Sequence, residues 1–261
     1  MSDIVTLEVE DHVAVITLNR PEARNAVNAD LARGLEAAID RLEDDPDLWV
    51  GVLAANTAGQ ERPVFCAGAD LKEISAGNAA TLVTRRGGFA GFAYRQRRKP
   101  VIAAVDGLAT AGGCEIALAA DIVVATTRSA FGLAEVKRNL VAGAGGLFRL
   151  PRAVGQGPAL DMILTGEPMP ADRAYQLGLV SRLCEPGEVL DAARQLAAQI
   201  AKAAPLAVWE SLAVARAAAS EGDDTLKRMT DAATATVISS EDLTEGLTAF
   251  IEKREPVWKG R

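Results

Sequence analysis

The chain opens with two short stretches in which apolar and polar residues alternate. They cover residues 4 to 10 and 12 to 18 and are separated by a polar turn around His12. Alternation with a period of two puts every second side chain on one face of a strand, so this pattern predicts a β-hairpin with one buried face. After Asn28, a residue type that favours helix N-caps, apolar residues recur at helical spacing until Asp45-Pro46. The second pattern predicts an amphipathic helix. Its apolar positions are Leu31, Leu35, Ala38, Ile39 and Leu42.

Short apolar runs without alternation follow, each bounded by Gly, Pro, Asp or Asn. They are residues 49 to 55, 64 to 66, 101 to 105 and 122 to 125. Strands of this kind are covered on both faces, as in a parallel sheet with helical crossovers, so the sequence predicts an α/β fold. Helices are also expected within residues 71 to 95.

The final third of the chain is Ala-rich and has helical periodicity. The predicted helices are residues 157 to 166, 188 to 202, 206 to 220 and 225 to 238. We therefore divide the chain into a core, residues 1–195, and a C-terminal helical region, residues 196–261. Because no repeat or linker rich in Pro or Ser separates them, a second independently folding domain is not expected.

Composition narrows the classes of function. The 261 residues are 49% hydrophobic and 24% charged, with a formal net charge of −7, which disfavours nucleic acid or an anionic membrane as partner. Three widely spaced cysteines indicate reduced thiols and a cytoplasmic location. No signal peptide or membrane span is expected. The single histidine, His12, disfavours a zinc site or a Ser-His-Asp triad.

Two segments place small residues at the end of an apolar run, where ligands bind in open α/β sheets. Residues 65–72 read FCAGADLK, and residues 106–115 read DGLATAGGCE, followed by an apolar helical stretch. Amide groups near a helix N-terminus can stabilise a developing negative oxygen. The two loops together predict an oxyanion hole. A Gly-Gly pair such as Gly112-Gly113 is, by itself, equally typical of close helix packing.

Two further features concern acids and the tail of the chain. Glu135 is flanked by apolar residues, and Glu115 is followed by Ile-Ala-Leu-Ala. Because burial raises a carboxyl pKa, such residues can serve as acid or base near neutral pH. Residues 245–261 mix aromatic and basic side chains, which suits an adenine ring and phosphates or packing against a neighbouring subunit.

In this order and spacing, these segments resemble the crotonase superfamily, the enoyl-CoA hydratases and isomerases, from about Val5 to the C-terminus. The resemblance implies a spiral of ββα units that carries the acyl-CoA site in residues 1–195, and a trimerisation region in residues 196–261. It implies a homo-oligomer, either a trimer or a dimer of trimers. It also implies that no metal or redox cofactor is needed, since coenzyme A is part of the substrate.

The resemblance assigns roles to particular residues. The oxyanion amides are those of Ala69 and Gly112, and the two acids of the hydratases are Glu115 and Glu135. Glu115 would take a proton from water as water attacks carbon 3, and Glu135 would protonate carbon 2. Because both acids are present, hydration or dehydration of a 2-enoyl-CoA is favoured over isomerisation. The same resemblance places the following residues against the water, the acyl group or coenzyme A, the last two from a neighbouring subunit: Arg24, Ala67, Asp70, Leu71, Lys72, Gly143, Phe250 and Lys253.

Four alternatives stay open, one of which is another crotonase activity such as isomerisation. The ending of the chain, residues 252–261, also resembles that of carnitinyl-CoA dehydratases, but few aromatic residues are available to recognise a quaternary ammonium group. A basic cluster in residues 85–88 and 95–99 could bind RNA, although a solvated helix face explains it as well. The chain could also be an acyl-CoA binder without activity. The aromatic candidates for an ammonium site are Phe89, Phe92, Tyr94 and Phe148.

Overall fold

The computed structural model describes residues 4–261. Its strands are β1 Val5–Glu10, β2 Val13–Leu18, β3 Val50–Ala55, β4 Val64–Cys66, β5 Val83–Thr84, β6 Gly88–Phe89, β7 Val101–Val105, β8 Leu108–Thr110, β9 Ile122–Thr126, β10 Ala130–Gly132, β11 Met169–Pro170 and β12 Arg182–Cys184. Its helices are α1 Ala29–Asp44, α2 Leu71–Ser75, α3 Gly112–Ala119, α4 Gly146–Val154, α5 Gln156–Thr165, α6 Ala171–Gln176, α7 Val189–Ala201, α8 Pro205–Ala217, α9 Asp223–Ile238 and α10 Glu241–Glu252. Short 3-10 helices cover Pro21–Ala23, Ala79–Leu82 and Glu135–Arg138.

The strands form two main sheets joined by a repeating connection. The larger sheet has the order β1-β2-β3-β7-β9-β12, and the smaller one has the order β11-β10-β8-β4. A strand of the larger sheet is followed by a strand of the smaller sheet and then by a helix, as in β3-β4-α2 and β7-β8-α3. This is the predicted spiral of ββα units, so the α/β fold class is confirmed.

The larger sheet is covered on both faces, which explains its uninterrupted apolar strands. All five residues of β7 are buried, and their side chains divide between two hydrophobic clusters. One cluster contains α1, whose predicted apolar positions are all buried, and Asn28 caps that helix by accepting a hydrogen bond from the Leu31 N–H. The other cluster contains α7 and Trp209 of α8. The predicted helix and central strands are therefore confirmed.

The four helices predicted in the final third are present as α5, α7, α8 and α9. Helix α7 packs against β3, β7 and β9. Residue 195, at which the core was predicted to end, lies inside α7. The division of the chain into a core and a helical region stays a prediction. Across residues 4–261, no helix has both the length and the apolar character needed to cross a membrane.

Two local predictions differ from the structure. Residues 71 to 95 contain only the five-residue α2 and a 3-10 turn before the small hairpin of β5 and β6, so the predicted run of helices there is wrong. Strands β8 and β10 were not among the predicted strands. Their sequences, LAT and AFG, contain Thr or Gly and do not form an uninterrupted apolar run like the VFC of β4. The turn before β8 is made at Gly107, which has φ +79 and packs so closely on Pro63 that a Cβ would lie 2.0 Å from its carbonyl oxygen.

Candidate active site

Three loops meet at one edge of the smaller sheet. Strands β4, β8 and β10 are neighbours and run parallel, with Gly132 paired to Thr110 and Cys66 paired to Ala109. Their carboxyl ends therefore lie side by side, and the segments that follow them begin at Ala67, Ala111 and Leu133. The sheet topology thus brings together three of the segments singled out from the sequence.

These loops line a cavity of about 840 Å³, large enough for a drug-sized ligand. Part of its wall comes from the short hairpin of β5 and β6 and the residues on either side of it, and part from the loop before α4. Its apolar side chains include Leu71, Ile74, Val83, Phe89, Leu140 and Val141, and its polar or charged ones are Arg24, Tyr94, Thr110, Glu115, Glu135 and Arg138.

The two predicted amide donors lie on loops that are in contact. A Cβ built on Gly68 would lie 2.8 Å from the Gly112 nitrogen. Ala69 forms a parallel bridge with Val27, but the hydrogen bonds of that bridge use Gly68 O and Asp70 N, not the N–H of Ala69. Gly112 is the first residue of α3. Within residues 4–261 no hydrogen-bond acceptor is paired with either N–H, and both residues line the cavity.

The two glycines at the start of α3 have different neighbours. A Cβ on Gly113 would lie 2.0 Å from the Cys66 carbonyl oxygen, whereas one on Gly112 would lie 2.5 Å from the Phe89 ring inside the cavity. Gly113 is therefore required for close packing of α3 on β4. The close-packing interpretation therefore holds for Gly113, and the oxyanion role of Gly112 stays a prediction.

Glu115 lies on the first turn of α3 and is almost completely buried, with 3% of its surface exposed. Its Oε1 accepts hydrogen bonds from the backbone N–H groups of Ala144 at 2.7 Å and Gly146 at 2.9 Å. Burial raises the pKa of Glu115 to about 7, against the opposing effect of the Gly146 hydrogen bond. A carboxyl group with that pKa exchanges protons readily at neutral pH.

Glu135 is the first residue of a 3-10 helix that follows β10, and its side chain enters the same cavity. Its Oε2 is buried, and among residues 4–261 no partner donates a hydrogen bond to it. Burial raises the pKa of Glu135, while its own backbone N–H and the nearby Arg138 oppose the rise. The charge of Glu135 also raises the pKa of Glu115, so the two acids interact.

The other predicted site residues divide into three groups. Arg24, Ala67, Leu71 and Gly143 line the cavity, as do the four predicted catalytic residues. Asp70 and Lys72 do not line it. The Asp70 carboxylate caps α2 and accepts a hydrogen bond from Arg20 at 3.1 Å, so Asp70 holds the loop rather than facing the cavity. Phe250 and Lys253, at the end of α10, are exposed and lie outside this cavity.

Two features of the site were not predicted from the sequence. They are the contacts of Arg149 and the hydrogen bond from Tyr94 to the loop before α4. The Arg149 guanidinium donates to the carbonyls of Ala144 at 2.9 Å and Ala93 at 2.6 Å and lies over the Tyr94 ring. The Tyr94 hydroxyl donates to the Gly143 carbonyl at 2.9 Å. The sequence feature that could have indicated Arg149 is its position as a basic residue within the largely apolar stretch that forms α4.

The cations of the predicted basic cluster are largely paired within the chain. Arg86 and Arg95 both form ion pairs with Asp40, and the buried Arg97 lies 3.7 Å from Asp121. A face whose charges are neutralised in this way offers little attraction to phosphates. The structure therefore gives no support to RNA binding.

Of the four aromatic candidates for an ammonium site, only Phe89 and Tyr94 line the cavity. Phe92 is buried beneath the Arg97 guanidinium, and Phe148 packs against Arg149. Among residues 4–261, no group of three or more His, Cys, Asp or Glu side chains is placed to hold a metal ion.

Comparison with known proteins shows the family of the chain. Residues 8–261 match the family model described as enoyl-CoA hydratase/isomerase. The chain is 40% identical to the (E)-benzylidenesuccinyl-CoA hydratase of Thauera aromatica, over 98% of this chain and 99% of that protein. It is 39% identical to the carnitinyl-CoA dehydratase of Salmonella paratyphi A over all of both chains. Among solved structures, an enoyl-CoA hydratase from Mycobacterium tuberculosis H37Rv is 45% identical, with a TM-score of 0.93 and complete coverage of both chains.

Fold and cavity thus define an α/β enzyme of the crotonase type. The chain belongs to the enoyl-CoA hydratase/isomerase family.

Proposed function

We propose that this protein is an enoyl-CoA hydratase, which adds water reversibly across the 2,3 double bond of a 2-enoyl-CoA thioester. The observation that carries the proposal is the presence of the buried Glu115 and the half-buried Glu135 in one cavity with two backbone N–H groups that have no acceptor among residues 4–261. Hydration requires one group to take a proton from water and another to supply a proton to carbon. The hydratase names of relatives at about 40% identity support it.

In the proposed mechanism the N–H groups of Ala69 and Gly112 bind the thioester oxygen. They stabilise the negative charge that develops on this oxygen as water attacks carbon 3. Such donors are effective because they are already oriented and lie in a cavity with apolar walls. Their location at two loops in contact supports a single shared acceptor.

The hydrogen-bond partners of the two acids support different roles. Glu115 accepts two backbone hydrogen bonds, which favour its charged form and therefore its role as base. Glu135 has a buried oxygen without a donor, which favours the neutral form and therefore its role as acid. Gly143 lies in the loop whose N–H groups bind Glu115, and its backbone would help to hold the water. Every proton transfer in this scheme uses a group of the chain or the substrate, so we propose that no additional cofactor takes part.

The test is turnover of short, medium and long 2-enoyl-CoA thioesters. Hydration is measured as the loss of the ultraviolet absorbance of the conjugated thioester. Measurable hydration of at least one supports the proposal. Turnover of 3-enoyl-CoA to 2-enoyl-CoA without hydration would instead identify an isomerase. Binding of acyl-CoA with no turnover of any of these substrates would identify a silent binder.

A second candidate is dehydration of carnitinyl-CoA. It is favoured by the 39% identity to the Salmonella dehydratase over the full chain. Against it, only two of the four candidate aromatic residues face the cavity, which leaves an incomplete cage for a trimethylammonium group. Crotonobetainyl-CoA belongs in the same panel, and a specificity constant above that of every plain enoyl-CoA would establish this alternative.

Assembly and location are also proposals. We propose a homotrimer or a dimer of trimers in which Phe250 and Lys253 of one subunit contact coenzyme A bound to its neighbour, while Arg24 and Lys72 approach the phosphates. The exposed apolar surface at the end of α10, where Phe250 is 85% exposed, supports an interface there. The three unpaired cysteines support a cytoplasmic location.

A further inference from the structure

The two N–H groups that hold Glu115 belong to two peptide groups of one loop. The Ala144 N–H is part of the peptide whose carbonyl is that of Gly143, and the Gly146 N–H is part of the peptide whose carbonyl is that of Gly145. Because a peptide group is planar and its N–H and C=O point in opposite directions, a partner on the carbonyl fixes the direction of the N–H. The carbonyl partners therefore control how Glu115 is held.

Both carbonyls are occupied. The Gly145 carbonyl accepts the backbone N–H of Arg149 at 3.0 Å, a bond that any residue at the start of α4 could provide. The Gly143 carbonyl instead accepts the hydroxyl of Tyr94 at 2.9 Å. One of the two peptides thus depends on a single side chain that comes from a distant part of the sequence.

The Tyr94 ring is 44% exposed, and its other side contacts two neighbours. A Cβ on Gly88 would lie 2.7 Å from Cδ2 of this ring, so the ring packs directly on the Gly88 backbone. The Arg149 guanidinium lies 5.3 Å from the ring centroid. Arg149 also holds the next carbonyl of the loop, that of Ala144, at 2.9 Å. The hydroxyl therefore meets the Gly143 carbonyl in a defined geometry.

We propose that Tyr94 is a positioning residue for Glu115, acting through the peptide group that joins Gly143 to Ala144. The hydroxyl polarises the Gly143 carbonyl, which makes the Ala144 N–H a stronger donor to the Glu115 carboxylate, because hydrogen bonds in a chain reinforce one another. Tyr94 thereby stabilises the charged form of the base. The inference rests on the proposed function only in that Glu115 is the base.

The variant Tyr94→Phe removes the hydroxyl and keeps the ring and its contact with Arg149. The side-chain carboxyl of Glu115 is titrated by ¹³C NMR in the ligand-free protein, its signal being assigned by its absence in Glu115→Gln. We expect the Glu115 pKa to rise by about 0.3 to 1 unit in Tyr94→Phe. A shift of this size corresponds to the loss of one neutral hydrogen bond that acts on Glu115 through the intervening peptide group. An unchanged pKa would overturn the proposal.

Tyr175→Phe is the matched control, since Tyr175 is half-exposed on α6 and lies outside the cavity. Tyr175→Phe also removes a tyrosine hydroxyl, but it should leave the titration of Glu115 unchanged. Equal shifts in both variants would show a general effect and contradict the specific role of Tyr94.

Activity gives a second readout. In Tyr94→Phe the limb of the kcat/KM profile on which activity rises with pH should move to higher pH, with kcat falling more than KM changes. A higher KM with an unmoved profile would show that Tyr94 contacts the substrate instead, and the proposal would be wrong. If the unmodified protein hydrates no enoyl-CoA, the proposed function fails, whereas the NMR titration still decides the role of Tyr94.

Discussion

At the scale of single residues, the site depends on one buried and one half-buried carboxyl group with unequal partners. Glu115 has two backbone donors and Glu135 has a buried oxygen with none. Burial raises both pKa values, that of Glu115 to about 7 even with its two backbone donors, and the charge of Glu135 adds to the rise at Glu115. The pair is therefore suited to hold one proton between two acids near neutral pH.

We predict a bell-shaped dependence of kcat/KM on pH. Activity should increase as pH rises and Glu115, whose pKa is raised to about 7, loses its proton. It should decrease where Glu135, whose pKa is also raised, loses the proton that it must donate. Because the groups interact, the two limbs belong to the pair, but one should lie near pH 7 and both above the ordinary Glu value of about 4.3. A profile that is flat between pH 5 and pH 8 would contradict this.

The raised pKa of Glu115 also predicts a cost in stability. Since this pKa is higher in the folded than in the unfolded chain, the folded state binds more protons, and stability decreases as pH rises from about 4.5 to about 7. Glu115→Gln removes this dependence. We expect the variant to be more stable than the parent above pH 7, by at most about 3 kcal/mol, and to lose that advantage near pH 4. Thermal melts at both pH values measure the difference, and an equal difference at both would count against the shift.

Sequence reasoning found both acids because each is flanked by apolar residues. It could not find the roles of Tyr94 and Arg149, because these side chains act on carbonyl groups of a loop about 50 residues away. A hydrogen bond from a side chain to a distant backbone atom leaves no local pattern in the sequence.

At the scale of secondary-structure elements, the site depends on how closely α3 approaches β4. Gly113 permits that approach, because any Cβ there would overlap the Cys66 carbonyl, and the N-terminal amides of the helix are thereby brought beside Ala69. Because the opposing atom belongs to the backbone of β4, it cannot move aside as the end of a flexible side chain could.

Gly113→Ala should therefore destabilise the protein strongly, by about 3 kcal/mol or more, as expected of overpacking against backbone. The control is Gly157→Ala in α5, where a Cβ would meet nothing within 4 Å. That substitution should be neutral or stabilising by up to about 1 kcal/mol. Chemical denaturation of both variants gives the comparison. Equal stabilities would show that α3 can shift at no cost.

The elements that the sequence predicted well are those with long, regular patterns. Helix α1 and strands β1 and β2 have enough residues for their period to be recognised. Strands β8 and β10 were missed because LAT and AFG lack the uninterrupted apolar run that marks the equally short β4. They form strands because β4 and the turn at Gly107 place them side by side. Their existence is a consequence of the tertiary fold.

At the scale of the whole molecule, the helical region leaves apolar surface uncovered at the end of α10. Phe250 is 85% exposed and Ile251 is 78% exposed. Exposed apolar patches of this kind are typical of protein interfaces. The sequence implied assembly only through its family resemblance, because pairing between copies is not encoded in any local pattern.

We predict that sedimentation velocity will show a trimer or hexamer. Phe250→Ala should weaken assembly, coenzyme A ester binding or both, by at least tenfold. Val9→Ala, which trims an exposed apolar residue on β1, is the control and should change neither. A monomer that hydrates enoyl-CoA at full rate would contradict the shared site.

The central claim is that two carboxyl groups act together on one thioester. Its most direct test is hydration of crotonyl-CoA by Glu115→Gln and by Glu135→Gln, with binding of a saturated acyl-CoA measured in parallel by calorimetry. Each variant should lose a factor of about 10² to 10⁴ in kcat, the usual contribution of a general acid or base, and should bind the saturated ester within a few-fold of the parent. Full activity of Glu135→Gln on every enoyl-CoA that the protein accepts would contradict the account.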